Sequence, residues 1–504
     1  MRVGLVYRGR YHVREALDLE GYAPLLRGAG HRVRLFWDED VFGVTDNVLQ
    51  VPWLAKRLSN PLRMAWEMAA DRPEVLVFSV LPSTFAWCCE VAKQVKARTG
   101  AAVVFAGLHA ALAAERCMRE ACVDCVIQGE AEPALAPLMS ALAGRGRMAD
   151  VGNLWRRDGG EVRFTFRAPL ADLDALPLPD KELFRPAVSH AYSYCAMVSR
   201  GCPYQCSFCE ETCCKRLYGA GYFRRKKPET VLRELVEGKR RYGFREVIFK
   251  DSYLSGSKAW LEELMRGYRR EIGRPFKCFC TIAGFDADTA RLLKEGGCYN
   301  VEFGLQTWND RLRRETLNRG ETSEMARRVF DLCARYRLWF DVDHMFNLPG
   351  ETEGDHLAGA REYGRLRYLN RIKNHFLVYL PGAEIVSAGK AAGALPPDIE
   401  RQLEDGLETD FYGQEWGSAG ERATVAGFAA LYKLLPPLPA WLLEWLLRGR
   451  RWRWLGRAPG WLMALAQGAL ALRSRDLRFA EYVRSYPRKA LRGLRRALGW
   501  GCGL

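Results

Sequence analysis

Three cysteines stand close together in the stretch SRGCPYQCSFCEE, where Cys202, Cys206 and Cys209 follow the spacing C-x3-C-x2-C. A structural zinc ion takes four protein ligands, and an ordinary iron–sulfur cluster is held by four cysteines. Three thiolates are therefore consistent with two arrangements. Either a more distant ligand such as Cys213 or Cys214 completes a zinc loop, or a cluster is bound with one iron open, as a catalytic metal centre requires.

The elements that must position this loop alternate between strands and helices from Tyr194 to about Pro381. Six apolar runs predict strands, and the segments between them have helical spacing. The predicted strands are YCAMVS, EVIFKD, KCFCTIA, YNVEFGLQ, FDVDHMFNLPG and NHFLVYLPG. Six strand–helix units in a row predict a partial (β/α)6 barrel of the TIM type, with its active site at the carboxyl ends of the strands. The three cysteines follow the first strand at that end.

The first 150 residues show a similar alternation. Runs such as VGLVY, EVLVFSVL and AAVVFAG, separated by amphipathic segments, predict a doubly wound, Rossmann-like parallel sheet. Residues 151–190 carry a small predicted hairpin and four prolines, which indicate a linker. The chain is thus predicted to be α/β, with a domain at 1–150, this linker, the barrel at 191–385 and a helical region at 386–504.

The loop SRGCPYQCSFC, directly after a barrel-type strand, resembles the signature of the radical S-adenosylmethionine (SAM) superfamily. Later segments resemble further motifs of that family in the expected order, and the resemblance covers residues 194–385. These segments are IFKDSYLSG, VEFGLQTWNDRLRRETLNRG, FNLPGETEGD and YLPGAEI. The resemblance implies that Cys202, Cys206 and Cys209 hold a [4Fe–4S] cluster whose open iron binds SAM, so that no fourth cysteine is needed.

The same resemblance indicates which side chains contact SAM. In the family, the aromatic residue before the third cysteine packs near the adenine. The implied SAM-binding residues are Phe208, Asp251, Glu302, Gln306, Arg319 and Asn347. Arg319 can pair with the SAM carboxylate. Gln306 stands where the family usually has Glu, and Asn347 stands where it has Gly and can adopt the left-handed backbone conformation that Gly supplies.

The N-terminal domain is similar to the cobalamin-binding domain that precedes many radical SAM domains. Small residues at strand ends let a bulky ring and its nucleotide tail approach the backbone. The implied cobalamin-binding residues are Ser79, Leu81, Gly107, Gly129 and Glu130. The cobalt-ligating histidine of such domains lies in D-x-H-x-x-G; His12 lacks both the Asp and the Gly, so we interpret it as a surface loop residue. A nucleotide or flavin site is disfavoured because no G-x-G-x-x-G follows the first strand.

Together the two resemblances imply a cobalamin-dependent radical SAM enzyme. Cleavage of SAM to a 5′-deoxyadenosyl radical would activate a substrate carbon, and cobalamin would mediate methyl transfer to it. The implied partners are a small-molecule or lipid-like substrate and an electron donor such as flavodoxin or ferredoxin. Two alternatives stay open: radical cyclisation or ring rearrangement, as in tetrapyrrole cyclases, and a cobalamin- or cluster-dependent sensor without turnover.

The net charge of +16 is concentrated near the carboxyl end, because residues 431–504 contain fifteen basic and three acidic residues. Six tryptophans lie between Trp441 and Trp500. This pattern is consistent with a helical cap on the barrel, whose Arg stems cover apolar surface. It is also consistent with contact between residues 430–504 and an anionic membrane surface. Nucleic-acid binding is the interpretation that we favour least.

Cysteine content and hydropathy bear on the compartment. Sixteen cysteines in a long chain without an evident signal peptide favour a reducing environment. No uninterrupted apolar stretch reaches the roughly 18 residues that a spanning helix needs. We therefore expect a cytoplasmic protein whose membrane contact, where it occurs, is peripheral and on the inner face.

Overall fold

A computed structural model shows how the chain folds. It describes residues 1–9, 15–39, 60–185, 188–406, 419–458 and 460–473, together with positions 487, 491 and 494. His12, which the sequence suggested as a surface loop histidine, lies outside the described residues, as does most of the basic segment after residue 473.

A seven-stranded sheet forms the centre of the N-terminal domain. Its strands are β1 (Arg2–Arg8), β2 (Arg32–Asp38), β3 (Val75–Ser79), β4 (Ala102–Ala106), β5 (Cys125–Ile127), β6 (Leu154–Asp158) and β7 (Glu161–Phe164). The spatial order is β2–β1–β3–β4–β5–β6–β7, and β1 to β5 run parallel. The predicted doubly wound parallel sheet is confirmed. The hairpin predicted within the linker is β6–β7, which pairs antiparallel with β5, so the sheet continues beyond residue 150.

Helices cover both faces of this sheet. They are α1 (Leu17–Gly28), α2 (Pro61–Asp71), α3 (Phe85–Thr99), α4 (Leu108–Leu112), α5 (Ala114–Arg119) and α6 (Glu132–Leu142). One core contains α1 and α6, and the opposite core contains α2, α3 and α5. Because both faces are covered, the central strands are almost fully buried, as their continuous apolar runs predict. Helix α3 ends at Gly100, which has a φ of +68°, a conformation that glycine adopts without strain.

Six parallel strands form the second domain. They are β8 (Ser193–Ala196), β11 (Glu246–Phe249), β12 (Phe276–Cys280), β13 (Cys298–Gln306), β14 (Trp339–Phe346) and β15 (Leu369–Phe376), and a short antiparallel ribbon is made of β9 (Ser199–Arg200) and β10 (Arg224–Arg225). The six strands lie in chain order, β8–β11–β12–β13–β14–β15. This is the arrangement that the six strand–helix units predicted, a partial barrel whose strands end on one side.

The barrel helices follow the strands in alternation. They are α7 (Glu210–Tyr218), α8 (Pro228–Tyr242), α9 (Lys258–Glu271), α10 (Ala287–Gly296), α11 (Ser323–Arg335) and α12 (Glu353–Gly364). Side chains cap several of their first turns: Asp286 Oδ1 accepts a hydrogen bond from Thr289 N at 2.9 Å, and Thr352 and Asp355 form a capping box. Such caps fix where each helix begins and therefore fix the loops that leave the strands.

The carboxyl-terminal region is helical. Its helices are α13 (Ile385–Ala391), α14 (Ile399–Glu404), α15 (Ala419–Leu434), α16 (Ala440–Leu447), α17 (Trp452–Leu455) and α18 (Gly460–Arg473). Trp452 is fully buried and stacks on Phe428 with ring centroids 4.1 Å apart. Helices α15 and α16 share the barrel core, so the predicted helical cap exists. Within the described part of the chain, no helix has both the length and the apolar character needed to cross a bilayer.

A buried ion triad holds the linker against the N-terminal domain. Lys181, in a 3-10 turn at Lys181–Phe184, lies 2.6 Å from Glu20 and 3.5 Å from Glu15. All three side chains are at most 4% exposed. Burial, partly opposed by Lys181, raises the pKa of Glu20 to about 8. Although burial opposes its charge, the two carboxyls raise the pKa of Lys181 well above its usual value, so this cation is retained.

Candidate active site

The cysteine loop lies between β9 and α7, at the carboxyl end of the first barrel strand. Gly201, one residue before the first cysteine, has a φ of +82°. A Cβ at this position would lie 2.8 Å from the ring of Tyr222 and 2.9 Å from its carbonyl oxygen. Glycine is therefore required here both for backbone conformation and for space.

Hydrogen bonds from neighbouring elements hold the loop in place. Ser207 N donates to Leu317 O at 3.1 Å, and Ser207 Oγ donates to Thr316 O at 2.6 Å. Asn318 Nδ2 donates to Gln205 O at 2.8 Å. The segment after β13 thus clamps the cysteine loop, which positions the thiols before any ligand binds.

The three thiols occupy a partly buried, charged environment. Burial raises the pKa of Cys202 to about 11 and holds that of Cys209 well above its usual value. Burial also raises the pKa of Cys206, an effect that Arg319 partly opposes. Arg319 Nη1 donates to Cys206 Sγ at 3.6 Å. Because thiolates are the metal-binding form, binding of a metal by these cysteines would release protons, and Arg319 is placed to stabilise the Cys206 thiolate that results.

One cavity of about 200 Å³ connects the thiols with the ends of β12, β13 and β14. All three motif cysteines line it, and so do four of the six predicted SAM-binding residues. Those four are Phe208, Glu302, Gln306 and Arg319. Cys280, at the end of β12, also lines the cavity, whereas Cys213 and Cys214 do not.

Asp251 and Asn347, the other two predicted SAM-binding residues, do not line this cavity. Asp251 is buried, and its Oδ1 accepts hydrogen bonds from Val198 N at 2.9 Å and from Ser199 N at 2.5 Å. Its carboxyl group therefore shapes the backbone that leads into the cysteine loop, and burial raises its pKa to about 6. Asn347 has a φ of +65° in the turn after β14, which confirms the left-handed conformation expected for it.

Buried charges form the cavity floor. Glu302 Oε2 lies 2.8 Å from Lys277 Nζ and 2.5 Å from Lys373 Nζ. Although burial alone would raise it, the two lysines hold the pKa of Glu302 well below its usual range. Beside it, Asp343 lines the cavity and lies 3.2 Å from His375 Nε2. Glu302 is thus an ionised group whose charge is already balanced by the protein.

Two polar atoms at the cavity have no hydrogen-bond partner among the described residues. They are Gln306 Oε1, an acceptor, and Arg319 Nε, a donor. Gln306 has a φ of +70° at an irregularity in the pairing of β13 with β14, which turns its side chain out of the regular strand pattern. Because buried polar groups are normally paired, both atoms are suited to a polar ligand in this cavity.

The predicted cobalamin-binding residues fall into two groups. Ser79, Leu81 and Gly107 lie at the neighbouring ends of β3 and β4, and Ser79 Oγ donates to Asp18 Oδ2 at 2.6 Å. Gly107 has a φ of +90°, and a Cβ there would lie 2.9 Å from Val80 N. Small residues are therefore needed at this edge of the sheet.

The second group, Gly129 and Glu130, faces the barrel. Gly129 has a φ of +96°, and a Cβ there would overlap the hydroxyl of Tyr218 on α7. Glu130 N donates to this hydroxyl at 2.5 Å, and the Glu130 carboxylate pairs with Arg224 and, at 3.4 Å, with Arg200. In this structure the turn after β5 is thus occupied by contacts between the two domains.

Sequence reasoning missed the cations that surround the site. Arg200 immediately precedes the Gly-Cys step of the loop, and it lies 2.5 Å from Glu132 of α6. Lys277 and Lys373 point into the barrel from β12 and β15 and meet Glu302. For Lys277 the sequence contained a signal: it is the single charged residue in the apolar strand FKCFC, and such residues are rarely buried without a partner.

Comparison with known proteins is consistent with the geometry. Residues 197–360 match the family model of the radical SAM superfamily. An uncharacterized methyltransferase of Pyrococcus horikoshii is 27% identical over 256 residues, which cover 50% of this chain and 55% of that protein. The hopanoid C-3 methylase of Methylococcus capsulatus is 30% identical over 238 residues, which cover 44% of this chain and 40% of that protein. The chain thus spans about half the length of these curated relatives.

A solved structure extends the likeness beyond the matched domain. The radical SAM methyltransferase TsrM from Kitasatospora setae, determined with cobalamin and a [4Fe–4S] cluster bound, is 18% identical with a TM-score of 0.65. The alignment covers 93% of this chain and 99% of that chain, so the two share a fold across both α/β domains. The chain therefore contains a domain of the radical SAM superfamily, set within a fold that it shares with a cobalamin-binding radical SAM methyltransferase.

Proposed function

We propose that the chain is a cobalamin-dependent radical SAM methyltransferase that acts on an unactivated carbon of a small-molecule or lipid-like substrate. One observation carries the proposal: three loop thiols and a set of polar side chains line one cavity at the carboxyl ends of the barrel strands. The family match over residues 197–360 and the methyltransferase relatives support it.

The residues present fit the cofactors that this function needs. Cys202, Cys206 and Cys209 would hold a [4Fe–4S] cluster through three thiolates, which leaves one iron for SAM. Gln306 Oε1 would accept a hydrogen bond from the SAM amino group, and Arg319 would pair with its carboxylate. Ser79, Leu81 and Gly107 lie at the carboxyl ends of β3 and β4, the edge of a parallel sheet where a cobalamin tail would bind.

The chain's own residues would bind, orient and exclude water. When bound, the cluster supplies the electron for reductive cleavage of SAM, and cobalamin carries the methyl group. Arg319 stabilises the Cys206 thiolate, and the apolar ring of Phe208 lines the same cavity. The clamped loop fixes the thiols relative to the strand ends, so a cluster bound there would have a fixed position relative to the other residues of the cavity. We propose flavodoxin or ferredoxin as the electron donor.

Turnover with labelled SAM tests this function. We expect the reconstituted chain, incubated anaerobically with cobalamin, reductant and methyl-deuterated SAM, to form 5′-deoxyadenosine and to transfer label to a substrate from a cell extract, detected by mass spectrometry. A reaction without cobalamin is the control and should transfer no label. Deoxyadenosine with an unlabelled, rearranged product would instead indicate a cyclase. Cofactor binding without SAM cleavage would indicate a sensor.

We also propose that the outer face of α16 and α17 contacts an anionic membrane. Leu443, Leu446 and Leu447 are buried against the barrel, whereas Trp441 and Trp445 face outward and are 72% and 45% exposed. A third tryptophan, at position 454, is 62% exposed, and five arginines lie between residues 448 and 457. Aromatic side chains beside basic residues suit the headgroup region of a bilayer.

Vesicle binding tests this membrane contact. Replacing Trp441, Trp445 and Trp454 together by serine should weaken cosedimentation with vesicles of phosphatidylcholine and phosphatidylglycerol by about tenfold or more, because three aromatic side chains lose apolar burial. Trp66→Ser is the matched control, since Trp66 is 60% exposed on the N-terminal domain, and it should bind as the unchanged chain does. Equal binding of the triple variant would overturn the proposal.

A further inference from the structure

A second cluster of potential metal ligands lies outside the cavity already described. His344 of β14, Glu351 of the following turn and His356 of α12 each offer one ligand atom, and these atoms lie within 4.8 Å of one another. The two histidines are 1% and 3% exposed. The cluster sits between the barrel sheet and the carboxyl-terminal cap, because the His344 ring packs 4.7 Å from that of Tyr432 on α15.

Several polar atoms of this cluster have no partner among the described residues. They are His344 Nε2, His356 Nδ1 and Glu351 Oε1. His356 Nε2 lies 3.7 Å from Glu351 Oε2, too far for a hydrogen bond. Leaving three such atoms unpaired in an apolar layer is unfavourable. A metal cation, which accepts electron pairs from nitrogen and oxygen atoms, would therefore stabilise this arrangement of imidazoles and carboxyl group.

We propose that His344, Glu351 and His356 bind a divalent metal ion of the zinc class. Two imidazoles and one carboxylate are a common protein ligand set for zinc. The ligand atoms now lie within 4.8 Å of one another. Zinc–ligand distances of about 2.0–2.2 Å in a tetrahedral site place ligand atoms roughly 3.5 Å apart, so the side chains would close by roughly 1 Å.

The surrounding hydrogen bonds are those of a supported metal site. His344 Nδ1 lies 3.1 Å from Tyr363 Oη, and a bond from the ring N–H to this oxygen leaves the Nε2 lone pair facing the cluster. Leu348 N donates to Glu351 Oε2 at 3.3 Å, and Tyr432 Oη donates to His356 O at 2.9 Å. An ion here would tie β14, the following turn and α12 together. The proposal does not depend on the cysteine loop.

Zinc content of the full chain tests the proposal. Because loop thiolates also bind zinc, the measurement uses a background in which Cys202, Cys206 and Cys209 are replaced by alanine. After incubation with zinc chloride and dialysis, we expect one zinc per chain by elemental mass spectrometry. Glu351→Gln and His356→Gln should each reduce the zinc content at least about tenfold, because each removes one of only three protein ligands and weakly held zinc is lost on dialysis.

His31→Gln is the matched control, because His31 is also buried but lies in the other domain, and its zinc content should stay at one. X-ray absorption on the triple-alanine chain covers the case in which a ligand variant misfolds; the zinc should show only nitrogen and oxygen neighbours near 2.0 Å. Absence of zinc after dialysis, or zinc that remains in His356→Gln, would overturn the proposal. Neither result bears on SAM cleavage, which is measured separately on the unchanged chain.

Discussion

Replacing Cys206 by alanine should reduce the formation of 5′-deoxyadenosine from SAM to the background of the assay. The expected loss is complete because a [4Fe–4S] cluster held by only two thiolates has lost a further ligand in addition to the open iron. Cys206 also receives the hydrogen bond from Arg319 Nη1, so the substitution removes the anion that this cation stabilises. The measurements are iron per chain, the absorbance of the reconstituted cluster and deoxyadenosine by liquid chromatography.

Cys214→Ala is the matched control for this experiment. Cys214 lies five residues after the last loop cysteine, yet it does not line the cavity. The control variant should keep its iron and its SAM cleavage. Loss of metal in the Cys214 variant, together with zinc rather than iron in the unchanged chain, would instead show the zinc loop that the spacing alone left open, and the proposed function would fail.

Replacing Lys181 by methionine should strongly destabilise the N-terminal domain. Lys181 is the cation between Glu20 and Glu15, and all three are buried. Its removal leaves the buried Glu20 carboxyl without the cation that lies 2.6 Å away, which costs about 3–5 kcal/mol. Hydrogen–deuterium exchange in α1 and the adjoining strands should therefore accelerate about 100-fold or more. Hydrogen–deuterium exchange measures the stability of the N-terminal domain by itself. The test is therefore valid even when the whole chain does not unfold in a single cooperative step.

The pH dependence of this variant gives a further check. Without Lys181, which partly opposes the effect of burial, the pKa of Glu20 in the folded chain rises further above that of the unfolded chain than it does in the unchanged protein. The destabilisation should therefore grow as pH rises above the usual pKa of glutamate, since folding then requires a buried proton. Adding Glu20→Gln should recover part of the protection. Arg27→Met, which removes an exposed ion pair with Asp180, should change protection by about tenfold at most, and an equal effect of the two substitutions would contradict the triad's role.

Much of the fold follows from local patterns in the sequence. Continuous apolar runs predicted buried parallel strands, and β1, β3 and β4 are almost fully buried. The chain order of the barrel strands also followed, because each strand–helix unit places the next strand beside the last. The hairpin β6–β7 was recognised, but its pairing with β5 was not, because an antiparallel edge can join any exposed neighbour.

The candidate site was predictable only in part. Spacing placed the three cysteines together, and motif order placed Phe208, Glu302, Gln306 and Arg319 at the same cavity. It could not show that Asp251 turns toward the backbone of Ser199, since that depends on the packing of two strand ends. The contacts of Glu130 with Arg200 and Arg224 join segments about 70 and 94 residues apart, which no local pattern reports.

Arg200 links the two halves of the molecule thermodynamically. It belongs to the segment that leads into the cysteines, and its guanidinium is held by Glu130 and Glu132 of the N-terminal domain. A ligand that shifts the turn after β5 would therefore also shift the cysteine loop, where the proposed cluster binds. Coupling between binding free energies is reciprocal, so iron loading would change the affinity for that ligand by the same factor. The two domains could then bind their ligands in either order. The order would change the intermediates, but not the total binding free energy of the fully loaded protein.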